Sequence, residues 1–351
     1  MPPGGHLTSR GVRGSAWITR RIATPPPWTS TRTGTRASGW TWCAPTGRPT
    51  ASSGRTCPAR ARSSRSPIWR RGRPGRASST STRASRRWTR RAPRCTRLLA
   101  ADADLLGGAG ARRAPRRGVQ RALARAHERH PQRLVGLATL PLQAPDRAVR
   151  EVERARALPG VRGFYAATEV LGKELSDPSF FPVYERIEAS GLPLFLHPVF
   201  VIGHQRLAAH YLTNLLGNPF ETAIAAAYLV FGGVLDRFPR LDVVLPHAGG
   251  AFPWLVGRLN RGWEKRADLK HIAHPPLEYL RRFHYDTIGY SDAVLEFLVR
   301  HVGADRVVMG SDYCFPIAYE QPVTNVTGNS LIDEAAKALI VEGNARRLLR
   351  L

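Results

Sequence analysis

The last two thirds of the chain alternate short apolar runs with amphipathic stretches. From residue 119 onward six apolar runs have strand length and are bounded by Gly, Pro or charged residues. They predict strands over residues 133–142, 160–167, 192–198, 241–245, 284–288 and 306–310. The stretches between them predict helices over 119–130, 144–157, 180–190, 206–238 with a break at 217–219, 251–265, 276–283, 292–302, 331–340 and 344–349. This alternation is typical of parallel strands joined by helical crossovers.

The expected fold class is therefore α/β, and in particular a (β/α)8 barrel. A closed barrel of this kind has eight strands. Because six strands are predicted after residue 119, the first strands are either missing or unreadable in the N-terminal segment. We divide the chain accordingly into an irregular segment, residues 1–118, and a barrel domain, residues 119–351.

The two parts differ sharply in charge. Residues 1–118 contain 26 arginines, no lysine and two acidic residues, whereas residues 119–351 contain 27 basic and 24 acidic residues. The basic charge of the whole chain, +27, thus belongs to its N-terminal segment. That segment holds no persistent apolar period, so a packed core cannot offset the entropy of ordering it.

Three interpretations fit the N-terminal segment. It is a disordered basic tail, an arm that binds RNA or DNA through Arg and Trp, or the product of a GC-rich gene read in the wrong frame. Codons rich in G and C encode Arg, Ala, Gly and Pro but not Lys, and the change near Gly118 is abrupt. We favour the wrong-frame translation and rank nucleic-acid binding last.

The remaining global features exclude other classes. The four cysteines form no CxxC pair, which argues against a disulfide framework or a zinc ribbon. No apolar run approaches the roughly 20 residues that span a bilayer, and the N-terminus lacks a signal-peptide core. We expect no membrane association and a cytoplasmic location.

Three predicted strands end in a side chain that can bind metal or transfer a proton. His197 ends the run LPLFLHP, His247 follows the run LDVVLP, and Asp312 ends RVVMGSD. A single histidine at the end of a strand is more often an ordinary polar residue. Three such residues at the same end of a parallel barrel favour an active site, because that end carries the chemistry in this fold.

A set of motifs identifies a family resemblance. The motifs occur in one order: LFLHP, YLTNLLGNPFETA, LPHAGGAFPWLVGRL, HYDTIG, GSDYCFP and GNARRLL. Residues 119–351 thereby resemble the amidohydrolase superfamily, and within it the branch of aminocarboxymuconate-semialdehyde decarboxylase, which includes resorcylate-type decarboxylases. The resemblance implies a metal-dependent barrel that releases carbon dioxide from a small aromatic or unsaturated carboxylic acid without an organic cofactor.

The resemblance also implies roles for individual residues. His197 and Asp312 would bind one divalent ion, for which zinc is preferred over manganese or iron. His247 would act catalytically beside the ion together with Asp312, and Arg258 would bind the substrate carboxylate, often in a neighbouring subunit of a homodimer. Tyr211 and Phe252 are candidate pocket walls, with core packing as the alternative for Phe252.

The chain departs from the family at the first strand, which should supply an HxH or ExH pair of ligands. No HxH occurs, and the single ExH, Glu128–His130, lies at the end of a predicted helix before Pro131. We interpret this as a chance match. Two protein ligands are fewer than the three that a catalytic zinc site ordinarily has, so we expect weak metal binding and impaired turnover.

The fold alone does not choose among activities. The leading hypothesis is a metal-dependent decarboxylase, and the second is a metal-dependent hydrolase of a lactone or amide. A nucleic-acid-binding protein acting through the basic arm is the third, and a catalytically dead remnant is the fourth.

Overall fold

The centre of the structure is a parallel β-sheet whose strands follow one another in chain order. The structure is a computed structural model, and it describes residues 97–99, 114–313 and 315–351. Seven strands pair in parallel in the order β1, β2, β3, β6, β7, β8, β9. They are β1 (Arg97–Leu99), β2 (Leu134–Thr139), β3 (Val161–Ala167), β6 (Leu194–His197), β7 (Val243–Leu245), β8 (Phe283–Asp286) and β9 (Val307–Val308). A small antiparallel hairpin, β4 (Glu169–Val170) with β5 (Lys173–Glu174), follows β3.

Helices connect the strands of the sheet. They are α1 (Ala114–Arg129), α2 (Pro145–Arg156), α3 (Phe181–Ser190), α4 (Asn218–Phe231), α5 (Val234–Arg237), α6 (Phe252–Lys265), α7 (Asp292–Val302), α8 (Pro322–Thr327), α9 (Glu334–Ala338) and α10 (Asn344–Leu349). Short π-helical turns, Thr213–Gly217 and Leu339–Gly343, lead into α4 and α10. A sequential parallel sheet with helical crossovers is the arrangement of a β/α barrel.

The two faces of the sheet pack differently because side chains alternate along each strand. One face joins the main core with the helices and includes Leu194, Val243 and Val307. The other face carries a smaller cluster formed by Val244, Val308 and Leu348, with Phe195 packed against it. On β6, Phe195 and His197 are two residues apart and therefore lie on the same face of the sheet. The alternation of side chains thus places His197 on the side of the smaller cluster.

The strand predictions from residue 119 onward are confirmed, with ends that differ by a few residues. The predicted helix over 206–238 was wrong at its start, because residues 206–211 form turns in which His210 and Tyr211 have positive φ angles of 56° and 59°. The segment predicted as a helix over 276–283 is a 3-10 helix, Pro276–Arg282. The β4–β5 hairpin was not predicted, since each of its strands has two residues.

A strand and the start of a helix lie within residues 1–118, the segment whose composition predicts no regular structure. Strand β1 pairs with β2 through Arg97↔Leu134 and Leu99↔Gly136, and α1 begins at Ala114. Among the described strands β1 and β9 are the two edges of the sheet. The remainder of residues 1–113 lies outside the described residues. The prediction of a basic arm falls on those residues and stays a prediction.

The described residues belong to one unit, Arg71–Leu351. Within the described part of the chain, no helix combines the length and apolar character that crossing a bilayer requires.

Candidate functional site

His197, His247 and Asp312 come together where β6, β7 and β9 end. His197 is the last residue of β6, His247 follows β7 after Pro246, and Asp312 lies beyond β9. One ligand atom from each lies within 4.8 Å of the others, and each residue is half-buried. The predicted convergence is therefore observed, while the individual roles remain predictions.

His197 supplies a nitrogen suited to binding an ion. Its Nδ1 is buried and has no hydrogen-bond partner among the described residues. Its ring lies 5.4 Å from that of His247 and is stacked on Phe315 at 5.9 Å between centroids. An unpaired buried polar atom costs about 1–3 kcal/mol, so a ligand that pairs with it would recover that cost.

The hydrogen bonds of Thr222 favour one tautomer of His247. The Thr222 hydroxyl donates to the carbonyl of Asn218 at 2.9 Å and lies 3.2 Å from Nδ1 of His247. With the hydroxyl proton directed to Asn218, the Thr222 oxygen is placed to accept a hydrogen bond from Nδ1–H of His247. This arrangement favours the tautomer whose lone pair is on Nε2.

His247 is neutral in this environment. Burial, and then the nearby His197, lower the pKa of His247 to about 3. A neutral imidazole can accept a proton or bind an ion through its free nitrogen. The site therefore offers two imidazoles and one carboxylate, a donor set that suits a first-row divalent ion.

Asp286 holds the turn that carries His247. It is the last residue of β8, and its carboxylate accepts the backbone N–H groups of His247 at 3.1 Å, Ala248 at 2.7 Å and Ile288 at 2.9 Å. The pKa of Asp286 is raised to about 7, mainly because its carboxyl group is buried. The three N–H donors oppose this rise, and the nearby Asp312 carboxylate adds to it. Sequence reasoning missed Asp286; the available signal was its place at the end of a parallel strand.

Asp312 is accompanied by Tyr290, a second residue that the sequence did not indicate. The Tyr290 hydroxyl donates to Oδ2 of Asp312 at 3.2 Å. Burial and the Asp312 carboxylate raise the pKa of Tyr290 above its usual value, so the hydroxyl stays protonated at neutral pH. Both residues have positive φ angles, 53° and 55°.

The predicted substrate-binding residues occupy different surroundings. Phe252 is fully buried and packs edge-to-face on Phe283, which is the core alternative that the sequence left open. Arg258 is exposed on α6, and Tyr211 is 46% exposed in the turn before the Thr213–Gly217 segment. Among the described residues, no recorded contact joins either of them to the two histidines or Asp312, so their substrate roles stay predictions.

The Glu128–His130 pair lies away from the site. Both residues are exposed at the end of α1, and the neighbouring His127 contacts the carbonyl of Leu134, where β2 begins. That is the opposite end of the strands from His197. Among the described residues, His197, His247 and Asp312 are the single group of three with metal-binding geometry.

A parallel β/α barrel with histidine and aspartate at the ends of its strands defines the class of metal-dependent barrel enzymes. The family described as amidohydrolase matches residues 92–351, and the chain belongs to that family. The match begins before residue 119 and includes β1.

Individual relatives agree with this family and with the aminocarboxymuconate-semialdehyde decarboxylase branch. The chain is 35% identical over 224 residues to 2-amino-3-carboxymuconate-6-semialdehyde decarboxylase of Dictyostelium discoideum, covering 63% of this chain and 62% of the relative. The chain thus spans about three fifths of that relative's length.

Solved structures show the same architecture. The crystal structure of 5-carboxyvanillate decarboxylase from Sphingomonas paucimobilis has a TM-score of 0.67 at 29% identity, over 73% of this chain and 78% of that one. Dihydroxybenzoic acid decarboxylase from Polaromonas sp. JS666, solved with bound manganese and 2-nitroresorcinol, has a TM-score of 0.61 at 25% identity, over 67% and 75%.

Proposed function

We propose that this protein is a metal-dependent, non-oxidative decarboxylase of a small aromatic or unsaturated carboxylic acid. The observation that carries the proposal is the convergence of His197, His247 and Asp312 within 4.8 Å at the strand ends. The similar proteins described above are decarboxylases of such acids. The reaction breaks the bond between the ring or alkene carbon and the carboxylate, releases carbon dioxide, and places a proton on the same carbon.

His197 and Asp312 would hold one divalent ion. The unpaired Nδ1 of His197 supports this assignment, as does the carboxylate of Asp312 beside it. Zinc suits this donor set, and the manganese in the Polaromonas relative supports manganese as the alternative, with iron a third. When bound, the ion would supply Lewis acidity to an oxygen of the substrate.

Side chains of the protein would orient the substrate and transfer the proton that replaces the carboxylate. Nε2 of neutral His247 can take up and deliver a proton, because Thr222 keeps the other nitrogen protonated. Arg258 would bind the substrate carboxylate through its guanidinium group, which matches a carboxylate in a two-point contact. The ring of Phe315, stacked on His197, would border the substrate ring.

We further propose that the protein is a homodimer in which Arg258 serves the partner's site. Apolar side chains are exposed on three outer elements: Phe220 on α4, Trp254 on α6 and Phe297 on α7. Trp254 is 76% exposed, contacts Phe297 at 5.6 Å between ring centroids, and precedes Arg258 by one helical turn. Exposed apolar groups of this kind mark association surfaces, and most homo-oligomers pair through a shared two-fold patch.

The activity is tested by measuring carbon dioxide release from a panel of aromatic carboxylates, and ring opening of lactones, with Zn²⁺ or Mn²⁺ added. We expect carbon dioxide release that Asp312→Ala abolishes and that His204→Ala, an exposed histidine in a turn, retains. Lactone opening without carbon dioxide release would replace the proposal by the hydrolase alternative.

A further inference from the structure

Tyr290 and Asp312 occupy corresponding positions on neighbouring loops. Tyr290 lies four residues after the end of β8, and Asp312 lies four residues after the end of β9. The tyrosine hydroxyl donates to Oδ2 of Asp312 at 3.2 Å. The two loops are therefore joined by a side-chain hydrogen bond directly at the candidate ligand.

The backbone at both positions is unusual. Tyr290 and Asp312 have φ angles of 53° and 55°, a region that a bulky side chain such as tyrosine rarely adopts. Such conformations persist where the surroundings impose them, and they concentrate at functional sites. The ring of Tyr290 packs on Tyr319 with 4.8 Å between centroids, which fixes the direction of its hydroxyl.

A second pair of hydrogen bonds sets the spacing of the same loops. The Thr287 hydroxyl donates to the carbonyl of Gly310 at 3.4 Å, and the N–H of Gly310 donates to the Thr287 hydroxyl at 3.1 Å. Thr287 follows β8 directly and Gly310 precedes Asp312 by two residues. The starts of the two loops are thus joined by hydrogen bonds between Thr287 and Gly310. These bonds set the separation of the loops at which the Tyr290 hydroxyl contacts Asp312.

We infer that Tyr290 is a positioning residue for metal binding, whose hydroxyl holds Oδ2 of Asp312 and thereby orients the carboxylate beside the two histidines. This inference rests on the proposed metal site. Ligand side chains depend on hydrogen bonds from outside the ligand set for their orientation, and losing such a partner typically weakens metal affinity by about 10–100-fold. The dependence on Tyr290 is increased here, because the described residues offer few ligands and each must be well oriented.

The test measures the affinity of the full-length protein for Zn²⁺ alone, by competition with a chromogenic chelator. Tyr290→Phe keeps the ring and its contact with Tyr319 but removes the donor, and we expect about 10–100-fold weaker binding. The unfolding midpoint of the metal-free protein should not change. Tyr228→Phe is the matched control, since Tyr228 is exposed to the same degree, 42% against 43%, on the outer side of α4.

Asp312→Ala separates the inference from the metal site on which it depends. If Asp312→Ala binds Zn²⁺ as tightly as the unaltered protein, the metal site is wrong and the inference falls with it. If Asp312→Ala weakens binding and Tyr290→Phe does not, the inference alone is overturned. It is also overturned if Tyr290→Phe lowers the metal-free unfolding midpoint together with the affinity. The supporting result is weaker Zn²⁺ binding by Tyr290→Phe at an unchanged midpoint.

Discussion

Thr222 favours the tautomer of His247 in which Nε2 has the lone pair. Its hydroxyl donates to Asn218 and is placed 3.2 Å from Nδ1 of His247, and its side chain is fully buried. Thr222→Val keeps the shape but leaves Nδ1–H buried without an acceptor, which should lower the free energy of unfolding by about 1–3 kcal/mol. Carbon dioxide release should fall on the order of 10-fold, because the general acid–base group is no longer held in one tautomer.

A matched control exists for this substitution. Thr327 makes the same contact with the carbonyl four residues earlier, Val323, but on the surface. Thr327→Val should change neither unfolding by urea nor the rate of carbon dioxide release. If both variants reduce activity equally, the hydrogen bond to His247 does not explain the effect.

His284 and Asp242 form an ionisable pair away from the strand ends that carry the site. His284 lies on β8, and Asp242 directly precedes β7. The hydrogen bond from His284, 3.4 Å between Nε2 and Oδ1, is the main cause that lowers the pKa of Asp242. A carboxyl with a lowered pKa stabilises the fold above its unfolded pKa of about 3.9, and this contribution disappears as the pH falls through the folded value.

Asp242→Asn should therefore destabilise the protein at neutral pH, and this effect should decline below about pH 3.9 and vanish only below the lower, folded pKa of Asp242. The effect should be under about 1 kcal/mol, because nearly half of the Asp242 side chain is exposed. Urea unfolding at several pH values measures the difference. When His284 is first replaced by Gln, the effect of Asp242→Asn on the free energy of unfolding should depend less on pH. An unchanged pH dependence would mean that groups other than His284 lower the pKa of Asp242.

The turn between β7 and α6 is the element that brings His247 to the site. Gly250 has a φ of +58°, and a Cβ there would lie 2.0 Å from the carbonyl oxygen of Pro219 at the start of α4. The adjacent Ala251 N–H donates to that same oxygen at 3.2 Å. The turn is consequently docked on α4 in one position, and Asp286 holds it from the other side.

Gly250→Ala should destabilise the protein by more than about 2 kcal/mol, since it adds a backbone clash to an unfavourable φ. Gly172→Ala is the control, because Gly172 has a φ of +79° with open space around its Cβ position and should cost about 1 kcal/mol. Thermal unfolding of both variants measures the contrast. Equal losses would mean that the contact with Pro219 contributes nothing.

The elements that the sequence predicted correctly are those with a strong local signal. The strands carry apolar runs ended by Gly, Pro or charge, and the strand ends placed His197, His247 and Asp312 together, because parallel strands present the same end to one side. The turns at residues 206–211 were missed because His210 and Tyr211 adopt positive φ, which composition does not reveal.

The supporting residues of the site could not be found in the same way. Thr222, Asp286 and Tyr290 act through hydrogen bonds to residues 25, 38 or 39, and 22 positions away in the chain. No local periodicity encodes such contacts, since they depend on how neighbouring strands and loops are registered. The convergence of His197, His247 and Asp312 could therefore be predicted from sequence, whereas the hydrogen bonds made by their neighbours required the structure.

The proposed homodimer makes a prediction about the whole molecule. Trp254→Glu places a charge on the most exposed of the large apolar side chains on the described surface and should give a monomer by light scattering. Activity should fall with it, because Arg258 would no longer reach a partner's site. Leu331→Glu, at a position 48% exposed outside α4, α6 and α7, should leave mass and activity unchanged. A monomeric unaltered protein would refute the proposal.

The most direct test of the account measures metal content and carbon dioxide release together. The protein with its present sequence is compared with one whose residues 1–91, which precede the family match, are translated from another reading frame, each with and without Asp312→Ala. Because the first-strand ligand pair is absent, we expect the present chain to bind a divalent ion weakly and to turn over slowly. The reframed chain should bind one ion tightly and release carbon dioxide, and Asp312→Ala should abolish both. Tight binding and full activity of the present chain, or activity that survives Asp312→Ala, would contradict the account.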